Sequence, residues 1–180
     1  MSCLIAKGRL KGCKDGMGGV KRVWFINDSQ LSLSQLTFDG TTPNIITAVS
    51  ITPTPVSAYQ YDLRANAGFT QTANVSKENG TTFFAQELML TLHDINAQSN
   101  NEFKLLAYGT YKIIVETNNG KYMMVGLTRG ADMTEGSVAS GTAEGDLNGY
   151  TMKFVANEYE PAYFLDSDPA TVGFSVVVGA

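Results

Sequence analysis

The sequence predicts a mainly-β fold: two packed antiparallel sheets, a β-sandwich or partly open barrel, with one short flanking α-helix. Three observations lead there. Tyr111, Ile113 and Val115 alternate with Lys112, Ile114 and Glu116, the two-residue period that sends successive side chains to opposite sheet faces. Asn79-Gly80 and Asn119-Gly120 each separate two extended runs, and Asn-Gly tolerates the positive φ angles of a type I′ hairpin turn. Strands read nearly throughout with one helix near residues 98–108, a pattern that folds as packed sheets with helical cover.

Taken in order, residues 1–19 hold five glycines and three lysines with little periodicity and read as an N-terminal arm. Residues 20–180 read as a single domain. Lys21 to Asn27, KRVWFIN, is β-branched and aromatic, a strand entered after Gly18-Gly19 and broken by Asn27-Asp28-Ser29. Asp39-Gly40 and Pro43 mark a turn before the strand Ile45 to Ile51. Pro53 and Pro55 cannot donate to a ladder and end it. Tyr59 to Leu63 and Phe69 to Val75 are the next strands, and the polar alternation of FTQTANVS puts one face in water or against a partner. After Asn79-Gly80, Thr82 to Leu92 sets Phe83, Ala85, Glu87, Met89 and Thr91 on one face.

The helix is announced by Ser99 and Glu102, spaced as a capping box, by an apolar stripe of Phe103, Leu105 and Leu106, and by Gly109 as its C-terminal stop. Tyr111 to Val115 and Lys121 to Val125 then form the hairpin about Asn119-Gly120. From Gly126 to Gly149 there are six glycines and no His, Cys or Trp, so this connection carries no obvious reactive group. Within it, Ser137 to Ala143 alternates small residues and reads as further strand.

Composition bounds the function. A chain of 180 residues buries ~70% of its unfolded surface in one domain. Its net charge of −4, with only 17% charged residues, argues against a nucleic-acid grip built from clustered Lys and Arg. No apolar run approaches a membrane span. The opening MSCLIAKGRLKGCKDG has only a three-residue apolar patch and predicts no signal peptide or lipid anchor, hence folding in a reducing cytoplasm. The sequons at Asn27, Asn74 and Asn79 then carry no glycan.

Every candidate for chemistry has a plainer explanation. Cys3 and Cys13 have the wrong spacing for zinc, and His93 is the sole histidine, so no metal site is expected. His93-Asp94 lacks a serine on a G-x-S-x-G elbow, which leaves a surface or interface histidine. Glu144, Asp146 and Asn148 resemble the start of a calcium loop, but Val155 stands where the bidentate Glu belongs. Glu158 and Glu160 share a strand face beside Pro161 and read as exposed acids at a strand end rather than a glycosidase pair. Gly16-Met17-Gly18-Gly19 lacks the Lys-Ser/Thr of a phosphate loop. No catalytic residue and no cofactor is expected. What remains is surface: Tyr59, Tyr61, Tyr108, Tyr159 and Tyr163 lie in polar contexts, and exposed aromatics beside open strand edges are commonly hidden by self-assembly.

The order NNEFKLLAYG, YKIIVETNNGKYMMVG and SGTAEGDLNGYTMKFVANEYEPAYFL resembles the C-terminal half of small virion structural proteins of tailed bacteriophages, and is most similar to major tail tube proteins. In those, a hairpin strand carries nGky and a later strand carries sG…gD.nGy…f…E..pa. The Cys…GR…CKD…GGVKRVWF segment is also similar to phage structural proteins of this kind. The resemblance implies two packed antiparallel sheets with one helix, six copies joined into a ring around a continuous inner β-barrel, and rings stacked into a tube about a tape-measure protein. The chain would then be a virion component, assembled in the host cytoplasm, that conducts DNA during ejection without binding it specifically.

The resemblance brings no catalytic, cofactor or metal residues. By position, Asp39 to Pro43, Thr52 to Val56 and the arm through Gly19 are the candidates for contacts between rings, with Asp39, Pro43, Thr52, Pro55, Tyr159 and Tyr163 as interface residues. The Glu87 strand and its neighbour Phe69 to Val75 are candidates for the lumen face, with Glu87 and Gln71 as its residues. Six copies at −4 each carry −24 per ring, and the part of that charge lining a lumen would repel DNA and let it slide. The alternatives are another virion component, such as a tail terminator, connector or capsid decoration protein, and a monomeric carbohydrate-binding β-sandwich whose tyrosines stack on sugars.

Overall fold

The computed structural model describes residues 8, 14, 16–42, 44–50, 55–64 and 67–179. Among these the elements are β1 (Val20–Asn27), β2 (Leu36–Phe38), β3 (Ile45–Val49), β4 (Ser57–Asp62), β5 (Gly68–Ser76), β6 (Thr81–His93), α1 (Ala97–Tyr108), β7 (Thr110–Thr117), β8 (Tyr122–Val125), β9 (Ala131–Ala139), β10 (Gly149–Glu158), β11 (Tyr163–Leu165), α2 (Pro169–Val172) and β12 (Ser175–Val178). The fold is mainly β with one short flanking helix, as the sequence predicts.

The layers belong to one hydrogen-bonded network rather than two separate sheets. β7 is its branch point. Along one edge it pairs with β1, which continues to β4 and β12. Its other edge is shared: residues 113–116 pair with β8, whereas Thr110 and Tyr111 pair with β9. From β8 a wing runs through β11 and β3 to β2, and from β9 another runs through β10 and β6 to β5. The expectation of purely antiparallel sheets is corrected at two places, since β11–β3 and β12–β4 are parallel. Both involve short strands near the C-terminus, which return to the sheet by crossover and so run alongside their partners.

The β1–β7 pair is buried on both faces. Val23 and Phe25 of β1 with Tyr111, Ile113 and Val115 of β7 enter one apolar cluster, closed by Leu88 and Leu90 of β6 and by Tyr150, Met152 and Phe154 of β10. Trp24 and Ile26 with Ile114 enter a second, closed by Leu36, Ile46, Val49, Leu165 and Phe174. The two wings therefore cover opposite faces of the central strands, giving a sandwich-like molecule.

This arrangement explains two charges that alternation would place in water. Lys112 and Glu116 share the face of Ile114 and are both buried. The Lys112 ammonium donates to the Asp28 carboxylate at 2.5 Å and to the carbonyls of Asp28 and Leu31 at 3.1 and 2.8 Å. Glu116 accepts from Arg22 Nε at 2.5 Å, with Lys21 at 3.7 Å, and the Arg22 guanidinium lies 5.3 Å from the Trp24 ring centroid. The bond to Glu116, more than its charge alone, holds the Arg22 pKa above its ordinary value. The apolar face of β7 is thus closed at each end by an ion pair.

α1 begins earlier than its sequence signal. Asn96 is the N-cap, and its side chain accepts from the Ser99 amide at 2.7 Å. Ser99 and Glu102 form no capping box. Glu102 instead accepts from the Tyr61 hydroxyl and the Gln98 amide, each at 3.2 Å. Gly109 ends the helix in an extended, not left-handed, conformation. A Cβ there would collide with the Tyr111 ring, whose hydroxyl donates to the Leu105 carbonyl at 2.9 Å. α2 is one turn with Asp168 as N-cap, Pro169 at its start and Gly173 in the left-handed region at its end.

Breaking the Lys112–Asp28 pair tests how far the buried charge constrains the central strands. Asp28→Ala, which leaves the buried ammonium without its counter-ion, is expected to lower stability by about 1–3 kcal/mol, and Lys112→Met by less because the carboxylate it leaves behind is half exposed and hydrated. Urea unfolding followed by the fluorescence of Trp24, the sole tryptophan, measures both.

Candidate functional site

The antiparallel unit β9-β10-β6-β5, unlike the central β1–β7 pair, is covered on one face only. Its inner face carries Leu88, Leu90, Tyr150, Met152 and Phe154 into the core, and α1 packs there, with Phe103 and Tyr150 ring centroids 5.4 Å apart. Gly136 of β9 leaves the space for that contact, since a Cβ would lie 2.8 Å from the Phe103 ring. The outer face follows from the register: Thr70, Thr72 and Asn74 of β5, Phe83, Ala85, Glu87 and Met89 of β6, Thr151, Lys153 and Val155 of β10, and Glu135 and Ser137 of β9. These residues are small, polar or only partly covered, with Phe83 and Met89 41% and 51% exposed.

The charges on this face are grouped. Lys153 lies 3.2 Å from Glu87 and 4.0 Å from Glu135, so one ammonium sits between two carboxylates and the trio carries a formal −1. Exposure limits what such pairs contribute to stability. Their effect is on potential: the face offers no concentrated positive charge to hold a phosphate chain.

Two strand edges of the unit have no strand partner among the described residues. β5 pairs only with β6. β9 is paired with β7 only at Ala131 and Asp132, which leaves Met133 to Ala139 open on that side. Unpaired backbone groups along such edges are templates for another strand.

Polar side chains tie this unit to its surroundings. Gln86, buried on the inner face, accepts from the Gly126 amide at 3.0 Å. Glu158 is also buried and accepts from the amides of Thr128 and Arg129 at 3.0 and 2.8 Å. It orders the turn that passes the chain from β8 to β9. The reading of Glu158 and Glu160 as two exposed acids is therefore corrected for Glu158, which is buried and caps two amides of the turn. Glu160 does stay exposed and accepts from the Tyr163 hydroxyl. Nothing in the local sequence distinguishes the two carboxylates, because the amides Glu158 meets are some thirty residues away.

The expected site residues are distributed as follows. Glu87 lies on the outer face, but Gln71 does not: it is paired with Gln86, faces inward, and accepts from the Ala162 amide at 2.8 Å. The grouping of Glu87 with Gln71 on one lumen face is corrected, because pairing fixes them on opposite sides of the sheet. Asp39 closes the β2–β3 turn by accepting from the amides of Thr41 and Thr42 at 3.2 and 3.1 Å. Tyr163 stands at the same end of that wing, its ring centroid 5.4 Å from Phe38. Burial first, then the bond to Glu160, pushes the Tyr163 hydroxyl up to about 12. Tyr159 is 68% exposed, with the Arg129 guanidinium 5.9 Å from its ring centroid. Pro55 is exposed just before β4, away from these residues. Pro43, Thr52, Cys3 and Cys13 lie outside the described residues.

Asp146 turns inward on its own loop, accepting from the amides of Ala143 and Thr142 and from the Thr142 hydroxyl, and these bonds hold its carboxyl below the usual range. Among the described residues, no group of three or more His, Cys, Asp or Glu could hold a metal ion. The long glycine-rich connection contributes β9 from Ala131 to Ala139, earlier than its alternation of small residues implied. Glycine 136 and the unpaired edge leave that strand with little local signal of its own. The β12 edge and α2 escaped sequence reading, although Asp168-Pro169 and Gly173 are ordinary start and stop signals.

Glu158→Ala is expected to cost about 1–2 kcal/mol, since it removes two charge-assisted hydrogen bonds to part-buried amides of the turn. The loss should appear as a lower urea midpoint together with faster hydrogen exchange at Thr128 and Arg129.

Comparison with protein-family models, with curated proteins and with solved structures found no match.

Proposed function

We propose that this chain is a self-assembling structural subunit, the tail tube protein of a tailed bacteriophage, whose copies join β9-β10-β6-β5 units edge to edge into a ring. The observation that carries this reading is the combination of a one-sided sheet with an open strand at either margin. One margin is β5 along its length; the other is β9 from Met133 to Ala139. A unit open at both margins is built for head-to-tail pairing, and such a heterologous contact closes into a ring when its rotation permits. Six copies and stacking into a tube come from the resemblance to major tail tube proteins.

The outer face of the unit would then line the channel. Threonines, the Glu87–Lys153–Glu135 trio and the absence of arginine from its described positions suit a surface past which DNA moves without being held, because tight binding requires phosphates to be neutralised by clustered cations. The trio's formal −1 in each copy places mild repulsion at the wall. Asp39 and Tyr163 would contribute to contacts between successive rings, from one end of the other wing. The tape-measure protein would occupy the channel before DNA.

Negative-stain microscopy and native mass spectrometry of the purified protein test this directly. Hexameric rings or hollow tubes are expected, and a strict monomer at high concentration would sink the proposal. Proline at Thr72 or at Ala73 locates the contact, since adjacent amides on β5 point to opposite edges. One of the two variants should fold and remain monomeric, having lost a donor to the neighbour. The other should be destabilised through its lost bond to β6.

A further inference from the structure

A second open edge lies away from the ring-forming unit. β12 pairs with β4 on one side and with no described strand on the other. Beside it is a groove of about 480 Å³ between the β4–β12 edge and the start of α1, lined by Tyr59, Tyr61, Asp62, Glu102, Val177 and Val178 among others. Val178 is 62% exposed and Tyr59 and Val177 are each 40% exposed. The lining holds two carboxylates and one histidine, His93, but no lysine or arginine. Apolar side chains, an unpaired backbone and negative charge occur together here.

The chain itself supplies a segment of complementary character. Residues 1–15 contain Lys7, Arg9, Lys11 and Lys14 against Asp15, a net +3, so residues 16–180 carry −7 of the chain's −4. The segment also contains Leu4, Ile5 and Leu10, and at ~3.3 Å per residue it can reach about 50 Å. Its point of departure is fixed. The Met17 amide donates to Asn119 Oδ1 at 2.8 Å and Asn118 Nδ2 donates to the Gly18 carbonyl at 2.6 Å. Both asparagines belong to the β7–β8 turn, whereas β4 and β12 lie beyond β1 on the opposite side of β7. The described start of the chain is thus held at the β7–β8 turn, with β1 between that turn and β4.

We infer that residues 1–15 of one copy dock in the groove of a second copy, adding a strand to the open edge of β12 and setting their cations against Asp62 and Glu102. Strand addition takes its affinity from main-chain hydrogen bonds and its selectivity from side chains at the groove. Charge sets the partner: the acidic groove favours the one basic segment of the chain. This inference rests on the assembly reading, since it names a second contact between the same subunits.

The two native cysteines, Cys3 and Cys13, both lie in this segment and make the test direct. One preparation of the full chain keeps both and is otherwise unchanged. A second, distinguishable by an affinity tag, carries Cys3→Ser, Cys13→Ser and Val178→Cys. After mixing under mild oxidation, the mixed disulfide dimer is expected to exceed by at least fivefold that formed with Lys77→Cys in place of Val178→Cys. Asp62→Asn with Glu102→Gln, or raised salt, should reduce it severalfold. A mixed dimer no more abundant than in the Lys77→Cys control overturns the inference. So does a chain bearing both native cysteines and Val178→Cys that forms only an internal disulfide, which would assign the groove to the copy's own arm. Microscopy of the unmodified protein separates the two proposals: cross-linking without rings or tubes overturns the tail tube reading alone, and rings without cross-linking overturn this one alone.

Discussion

The fold depends on one pairing, β1 with β7, whose faces are both covered. A strand buried on two sides cannot shift register by one residue without exchanging its entire set of core side chains. Here such a slip would also drive Lys112 and Glu116 into the cluster built around Phe25 and Phe154, where neither has a partner. The ion pairs with Asp28 and Arg22 make that alternative far worse than a packing error. They fix register even if the pairs add little net stability over apolar residues of the same size. Both wings, and so both open margins, take their positions from this alignment.

The division of labour between the wings follows from what covers them. The β2–β3–β11–β8 wing closes over Trp24 and Ile114 with short strands and α2, and its inner residues are spent on the core. The β9–β10–β6–β5 wing likewise gives one face to the core. Its strands are longer, its outer face is low in charge, and its margins end in backbone rather than in a covering loop. A soluble monomer protects such margins with bulges, prolines or inward charges. β5 has none of these over Phe69 to Val75, which is the physical case for a partner strand.

Much of the fold was legible because it is written locally. The hairpins around Asn79-Gly80 and Asn119-Gly120, and the split of Thr82 to Leu92 into an exposed and a covered face, follow from short-range rules of turn and period. The failures share a different cause. Glu102 looked like a capping residue because Ser99 stands three residues before it, yet a tyrosine from β4 claims its carboxylate. Glu158 looked exposed because its amide partners are distant in sequence. Gln71 was grouped with Glu87 by strand neighbourhood, and only the register between β5 and β6 separates them. Contacts between distant segments decide these cases, and a single sequence does not display them.

The shared edge of β7 has a mechanical consequence. Backbone hydrogen bonding from β7 to the long wing passes through Thr110 and Tyr111 alone, facing Asp132 and Ala131. Beyond that junction the wing is joined by apolar contact and by side-chain bonds from Gln86 to the Gly126 amide, from Glu158 to the Thr128 and Arg129 amides, and from Gln71 to the Ala162 amide. The joint therefore carries most of its directional bonds in side chains rather than in a continuous backbone ladder. A small shift of one wing against the other would break these side-chain bonds first and leave the strand ladders of the β9–β10–β6–β5 unit intact.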